Sequence, residues 1–238
     1  MQIPVVADPL FLLDYDGTLA PIVDDPDEAH PHPKVPALLR ALHDRHPVWI
    51  VTGRSIEALG RFLDLPLPAI GLHGAQEGTI GGDVTPLMSE DARTALATLR
   101  RSVPAMDGLQ VEDKEQSFAV HYRHVHNDAD ARDRLQSWVD RMPEILDAIW
   151  GKNVVELRPK ELTKGTAVRR IAEEHPGRTP IYMGDDVTDE DAFRAMRAMN
   201  RETVTVNVAQ TAADTAATYR LADPDDVVRY LTSYVTAP

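Results

Sequence analysis

The stretch FLLDYDGTLAPI, Phe11 to Ile22, decides how this chain is read. An apolar run of strand type ends on two aspartates two residues apart, and a glycine turn follows. Asp and Gly are ordinary turn residues, so an isolated D-x-D-G reads first as a loop. Two further places repeat the arrangement: Thr52 follows the apolar run VWIV, and Asp185 follows IYMG. Each polar residue therefore stands at the carboxyl end of an expected parallel strand, the edge at which open α/β sheets bind ligands. Three such tips on neighbouring strands make one site.

The segments around these tips alternate between two periodicities. Phe11 to Leu13, Val48 to Val51, Ala69 to Leu72, Ile181 to Met183 and Thr203 to Val208 read as short strands, several of them continuously apolar, as a sheet covered on both faces requires. Between them, Lys34 to Arg45, Ser55 to Leu63, Lys164 to Glu174 and Asp189 to Met199 space apolar residues by three and four, the helical pattern. DPDDVVRYLTSYV reads as a final helix closing the core. The expected class is α/β with a doubly wound, mainly parallel sheet.

The middle of the chain breaks the rhythm. GTIGGDVTP reads as a hairpin, Glu90 to Ser102 and Ala129 to Arg141 as helices, and Leu109 to Val111, Phe118 to Tyr122 and Val154 to Leu157 as strands. These elements predict a smaller α/β domain at 76–158, inserted into a discontinuous core made of 1–75 and 159–238. A chain of 238 residues is long enough for both.

Composition narrows the function. With 38 acidic against 25 basic residues the net charge is -13, which disfavours a nucleic-acid or anionic-membrane partner. There is no cysteine, so disulfides, thiolate metal sites and a cysteine nucleophile are excluded. The N-terminal stretch lacks the pattern of a signal peptide and no apolar run approaches a membrane span, which makes a cytoplasmic location the expectation. P-loop, dinucleotide, serine-hydrolase and zinc-hydrolase signatures are missing, and an aspartyl nucleophile is what remains.

Asp14, Asp16, Asp185 and Asp186 together place four carboxylates at the expected sheet edge. Carboxylates that close need a cation or raised pKa values, and an all-oxygen donor set favours Mg²⁺. With a Thr52 hydroxyl and the Lys164 amine nearby, such a site suits a phosphoryl group. Each residue also has a plainer reading: Thr52 as a helix N-cap, Lys164 as a solvated surface residue.

Taken in order, DYDGTLAPI, VTGRS, LTKG and GDDVTDEDAF resemble the four motifs of the haloacid-dehalogenase-type phosphatases. GLHGA, KEQSFAVHYR and KNVVELRPKELTKG extend the likeness to the trehalose-6-phosphate phosphatases over nearly the whole chain. The resemblance implies Asp14 as nucleophile and Asp16 as general acid and base. It puts Mg²⁺ on Asp14, the Asp16 carbonyl and Asp185, with Asp186 in support and Asp189 bracing the loop. Thr52 and Lys164 hold the phosphoryl oxygens, with Gly17, Thr18, Gly53 and Arg54 shaping or contacting the phosphate site.

In the inserted domain the matching sugar-contacting positions are Lys114, His121, Arg123 and Glu156, with His73 on the core side. The implied substrate is a small sugar phosphate, trehalose 6-phosphate, with a functional link to a trehalose-phosphate synthase and a monomeric chain. Sucrose-phosphate and mannosyl-phosphoglycerate phosphatases and phosphomannomutases share the core, and a catalytically silent sugar-phosphate sensor is the alternative of another class. One departure is visible: HGAQ, with Gln76, stands where many relatives carry HGAE.

Overall fold

In a computed structural model, which describes residues 3–114, 116–211 and 214–236, the chain divides into two compact units. One joins the segment up to Leu87 to the segment from Thr163; the other is Met88–Leu162.

The larger unit begins with β1 (Pro9–Leu13), α1 (Val35–His43), β2 (Val48–Val51), α2 (Ile56–Leu59) and β3 (Pro68–Gly71). The hairpin β4 (Gln76–Thr79) and β5 (Val84–Pro86) follows. The smaller unit holds α3 (Glu90–Arg101), β6 (Gln110–Asp113), β7 (Phe118–His121), α4 (Asp128–Val139), β8 (Leu146–Gly151) and β9 (Val154–Pro159). The chain then returns to the larger unit with α5 (Lys164–Glu174), β10 (Thr179–Gly184), α6 (Asp189–Arg197), β11 (Val204–Val208), β12 (Tyr219–Leu221) and α7 (Pro224–Thr236).

The main sheet has the order β12-β11-β10-β1-β2-β3-β4-β5, parallel from β12 to β3 and antiparallel across β3–β4–β5. Side-chain alternation explains why β1 is apolar on both faces. Phe11 and Leu13 enter a core shared with α1 and α7, whereas Leu10 and Leu12 enter a second core with α5 and α6. The two faces fix the register, since a one-residue slip would exchange both sets of side chains.

The boundary of the smaller unit differs from the expected 76–158. The hairpin pairs with β3 through Ile70↔Glu77 and Gly71↔Gln76, so 76–87 extends the main sheet, and the return falls at Thr163. A hairpin signal specifies its own turn and says nothing of the strand beside it. Gln76 also acts locally, since its Oε1 accepts from Ile56 N at 3.1 Å and so satisfies one of the orphan donors at the start of α2.

The smaller unit has a four-stranded antiparallel sheet, β6-β7-β9-β8. Phe118, Val120, Val155 and Leu157 pack with Leu96, Leu99, Leu135 and Trp138 of the two helices. The alternate residues of β7 and β9 therefore stand on the face turned away from α3 and α4. Trp150 belongs to the packed side, with the Arg132 guanidinium 4.3 Å from its ring centre.

Candidate active site

The carboxyl ends of β1, β2 and β10 lie side by side, because β1 pairs with both neighbours in parallel. Asp14 leaves β1 with its N–H donated to the Met183 carbonyl at 2.9 Å, so the backbone ladder itself fixes the residue. Its carboxylate is buried and lies 3.1 Å from Lys164 Nζ. Lys164 opens α5, whose N-cap is Thr163, and is itself 2% exposed. The solvated-surface reading of this lysine is overturned by its burial.

Lys164 also donates to Asp189 Oδ1 at 2.7 Å, and the Tyr182 hydroxyl donates to the same oxygen. The other oxygen, Oδ2, accepts the backbone N–H groups of Asp185 at 3.0 Å and Asp186 at 2.9 Å. Four donors saturate this fully buried carboxylate, which ties the loop after β10 to α5 and the β10 strand. Tyr182 is a residue the sequence reading passes over as strand filling.

Oxygens of Asp14, Asp185 and Asp189 lie within 4.8 Å of one another. Gly17, at φ +70, makes room for this: a Cβ there would lie 2.1 Å from the Asp185 carboxyl carbon. Asp186 is not part of the group; it is exposed and its Oδ1 accepts the N–H of Val187.

Three carboxylates face one ammonium, and Asp14 and Asp185 are shifted by burial first and by neighbouring charge second. Burial pushes the Asp14 carboxyl well above its ordinary value, with Lys164 opposing and the Asp189 charge adding to the rise. For Lys164, burial pulls downward, but Asp14 and Asp189 outweigh it and hold the amine above its usual range. Asp185 is pushed up to about 7, by burial first and then by the charges of Asp189 and Asp186.

The stability consequence follows from the sign of that last shift. A carboxyl whose folded value lies above its unfolded one binds its proton more tightly in the folded chain, so metal-free stability falls as pH rises from the unfolded value towards 7. Allowing for its partial exposure, the loss is about 2 kcal/mol. Thermal melts of EDTA-treated protein at pH 5.5 and pH 8 test this: added Mg²⁺ is expected to raise Tm more at pH 8. An equal rise at both would oppose it.

Immediately after β2, Thr52 is buried and its Oγ1 accepts from Arg54 N at 3.1 Å. The N-cap of α2 is Ser55, so the capping reading of Thr52 is corrected. His73 N donates to the Thr52 carbonyl at 3.0 Å, and Leu72 N donates to that of Arg54 at 3.0 Å, lacing the loop after β3 onto the loop after β2. Leu72 and His73 take positive φ values of 48° and 57° to do so. The His73 ring covers Gly53, where a Cβ would lie 2.5 Å from its Cε1. Thr18 is buried, and its Oγ1 has no hydrogen-bond partner among the described residues.

Asp16 points elsewhere than Asp14. Both its oxygens are engaged by Arg54, Oδ2 by Nε at 2.8 Å and Oδ1 by Nη2 at 2.7 Å. This pair borders a cavity of about 320 Å³ that Gly53 and His73 also line.

The four remaining candidates gather on the helix-free face of the smaller unit. Lys114 Nζ and Ser117 Oγ each lie 2.8 Å from a Glu156 oxygen. His121 Nε2 lies 2.8 Å from Glu112 Oε2, and its Nδ1 lies 3.2 Å from Arg123 Nη2. Register explains the grouping: Ala119 is opposite both Glu112 and Glu156, and His121 is two residues on along β7.

The doubly wound sheet, with a buried carboxylate at the tip of β1 and a buried amine opening α5, has the fold of the haloacid-dehalogenase-type phosphatases. The profile of the trehalose-phosphatase family matches residues 12–225. The chain belongs to that family. It is 33% identical over 247 residues to the probable trehalose-phosphate phosphatase H of Arabidopsis thaliana, covering 93% of this chain and 70% of the relative. It is 30% identical over 236 residues to the trehalose-6-phosphate phosphatase of Escherichia coli K12, covering 95% and 86%. The Aspergillus fumigatus trehalose-6-phosphate phosphatase structure, crystal form 3, superimposes with a TM-score of 0.81 at 26% identity, covering 97% of this chain and 93% of that one.

Proposed function

We infer that this chain hydrolyses trehalose 6-phosphate to trehalose and inorganic phosphate, the last step of trehalose synthesis. The observation that carries the reading is the buried Asp14 carboxylate held against Lys164 at the tip of β1, in a chain of the trehalose-phosphatase family. An Asp14 oxygen attacks phosphorus in line, and the bond from phosphorus to the sugar O6 breaks as Asp16 gives that oxygen a proton. Asp16 then takes a proton from water, whose oxygen attacks the aspartyl-phosphate and returns Asp14 as a carboxylate. Thr52 and Lys164 hold the phosphoryl oxygens through both steps.

The cluster fits a hard divalent cation: its donors are all oxygens, and three carboxylates exceed the one ammonium among them. Asp189 is saturated by four donors, so Asp14 and Asp185 are the side chains that would hold Mg²⁺, with the Asp16 carbonyl as a third ligand and Asp186 in support. Bound there, Mg²⁺ supplies charge neutralisation to the phosphoryl oxygens.

The helix-free face of the smaller unit carries what an uncharged disaccharide requires, several side chains able to form more than one hydrogen bond each. Lys114, His121, Arg123 and Glu156, and His73 on the core side, are assigned to the sugar. Among the described residues no helix is long and apolar enough to cross a membrane. On this reading the chain works as a cytoplasmic monomer, on a sugar phosphate supplied by a trehalose-phosphate synthase.

The test is phosphate release from trehalose 6-phosphate, glucose 6-phosphate, sucrose 6-phosphate and an aryl phosphate, each with Mg²⁺ and with EDTA. Release is expected chiefly from the first and is expected to vanish with EDTA. Activity spread evenly over the esters would keep the chemistry and overturn the sugar assignment.

A further inference from the structure

Asp16 and Arg54 are joined by two parallel hydrogen bonds of 2.8 and 2.7 Å, the fork geometry that makes arginine–carboxylate pairs strong and directional. Both oxygens of the proton-transfer carboxylate are thereby turned to the guanidinium and engaged by it.

The two partners are not equally fixed. The Arg54 side chain is 12% exposed, and its guanidinium donates to the Pro26 carbonyl at 2.8 Å and lies 4.7 Å from the ring centre of Phe62 and 5.5 Å from that of Tyr15. Tyr15 is in turn held by its hydroxyl on the Ala29 carbonyl at 2.8 Å. The Asp16 side chain is 35% exposed and is held by Arg54. Separation therefore costs a rotamer change at Asp16, while the guanidinium keeps its seat. Arg54 is also the one arginine or lysine among the residues lining the 320 Å³ cavity, next to Gly53 and His73.

We propose that Arg54 is a latch on Asp16: it sequesters the proton-transfer carboxylate in the ligand-free chain, and a phosphate monoester entering the cavity frees Asp16 by taking the guanidinium for its own oxygens. The proposal rests on the phosphatase reading above. It makes Asp16 available once a phosphoryl group is present, and it gives Arg54 two successive anionic partners.

The exchange has a signature in binding that needs no turnover. In the intact chain an anion must displace Asp16 from Arg54; in Asp16→Asn the guanidinium is already released. Titration calorimetry of inorganic phosphate into the Mg²⁺-loaded full chain is to be run on four proteins: the unaltered chain, Asp16→Asn, Arg54→Gln and the double variant. Asp16→Asn is expected to tighten phosphate about tenfold, and Arg54→Gln to weaken it about tenfold.

In the Arg54→Gln background the Asp16→Asn gain is expected to shrink to about threefold or less, the part due to removing one like charge. Arg54→Lys, which keeps the charge without the fork, is expected to fall between; it replaces Arg54→Gln if that variant folds poorly by thermal melting. Equal gains from Asp16→Asn in both backgrounds would overturn the latch while leaving the phosphatase reading intact. Absence of phosphate binding in all four folded proteins would overturn the phosphoryl site and the latch with it.

Discussion

Asp14→Asn is expected to abolish turnover of trehalose 6-phosphate while the chain folds as before. The amide nitrogen has no lone pair to offer phosphorus and the remaining amide oxygen is a poor nucleophile, so the covalent route closes. Losing the nucleophile of a covalent mechanism lowers kcat by about 10⁴-fold or more, leaving only binding and electrostatics. The fold is spared for a physical reason. Asp14 carries a large desolvation cost as a carboxylate, and Asn of nearly equal shape is relieved of it. Lys164 loses one anionic partner and keeps the other, Asp189 at 2.7 Å. The measurements are phosphate release, acid-quench trapping of phosphoenzyme and a thermal melt. No trapped phosphoenzyme, no release and a Tm close to that of the unaltered chain are expected. Release at a rate near that of the unaltered chain would remove Asp14 from the mechanism.

What made Asp14 legible in the sequence was its place relative to an apolar run. Strand tips can be read without a partner in view, because a continuously apolar segment ending on a polar residue is a local signal; Thr52 and Asp185 show it too. Lys164 was legible only in company with the tips: its neighbours ELT and GT are those of a surface helix start, yet α5 packs its first turn inward. The β4–β5 hairpin showed its turn but not its sheet, since pairing with β3 is a long-range choice. The strands β8 and β12 escaped, the first because LDAIWG mixes apolar and polar residues without a clear period, the second because YRL is three residues long. The Asp16–Arg54 pair could not be read at all: 38 residues separate two charged loop positions, and nothing local in either says that they meet. Tyr182 was hidden differently, as an aromatic residue in a strand where aromatic residues are common.

The second large effect is expected at a residue that is not proposed to touch substrate. Asp189 is fully buried and takes four hydrogen bonds, two on each oxygen. Asp189→Asn keeps the size but exchanges one acceptor for a donor. Whichever way the amide turns, its NH₂ meets either the Lys164 ammonium and the Tyr182 hydroxyl or the two backbone N–H groups of the β10 loop. Lys164 is left with Asp14 alone, and buried donors are left without acceptors. Breaking a buried charge pair by removing one partner costs about 3–5 kcal/mol, and Asp189→Asn is expected in that range by urea denaturation. Turnover is expected to fall by about 10²-fold or more in the folded fraction, because Lys164 and the Asp185 loop both lose their fixed positions. Gly184→Ala supplies an independent check without altering any charge: its Cβ would lie 2.2 Å from the Asp189 carboxyl carbon, so the carboxylate must move. Both variants are expected to lose stability and Mg²⁺-dependent thermal stabilisation together. If Gly184→Ala kept both while Asp189→Asn lost them, the position of the Asp189 carboxylate would be tolerant and only its charge would matter; loss in both means that the carboxylate has to sit where it does for Lys164 to be held on Asp14.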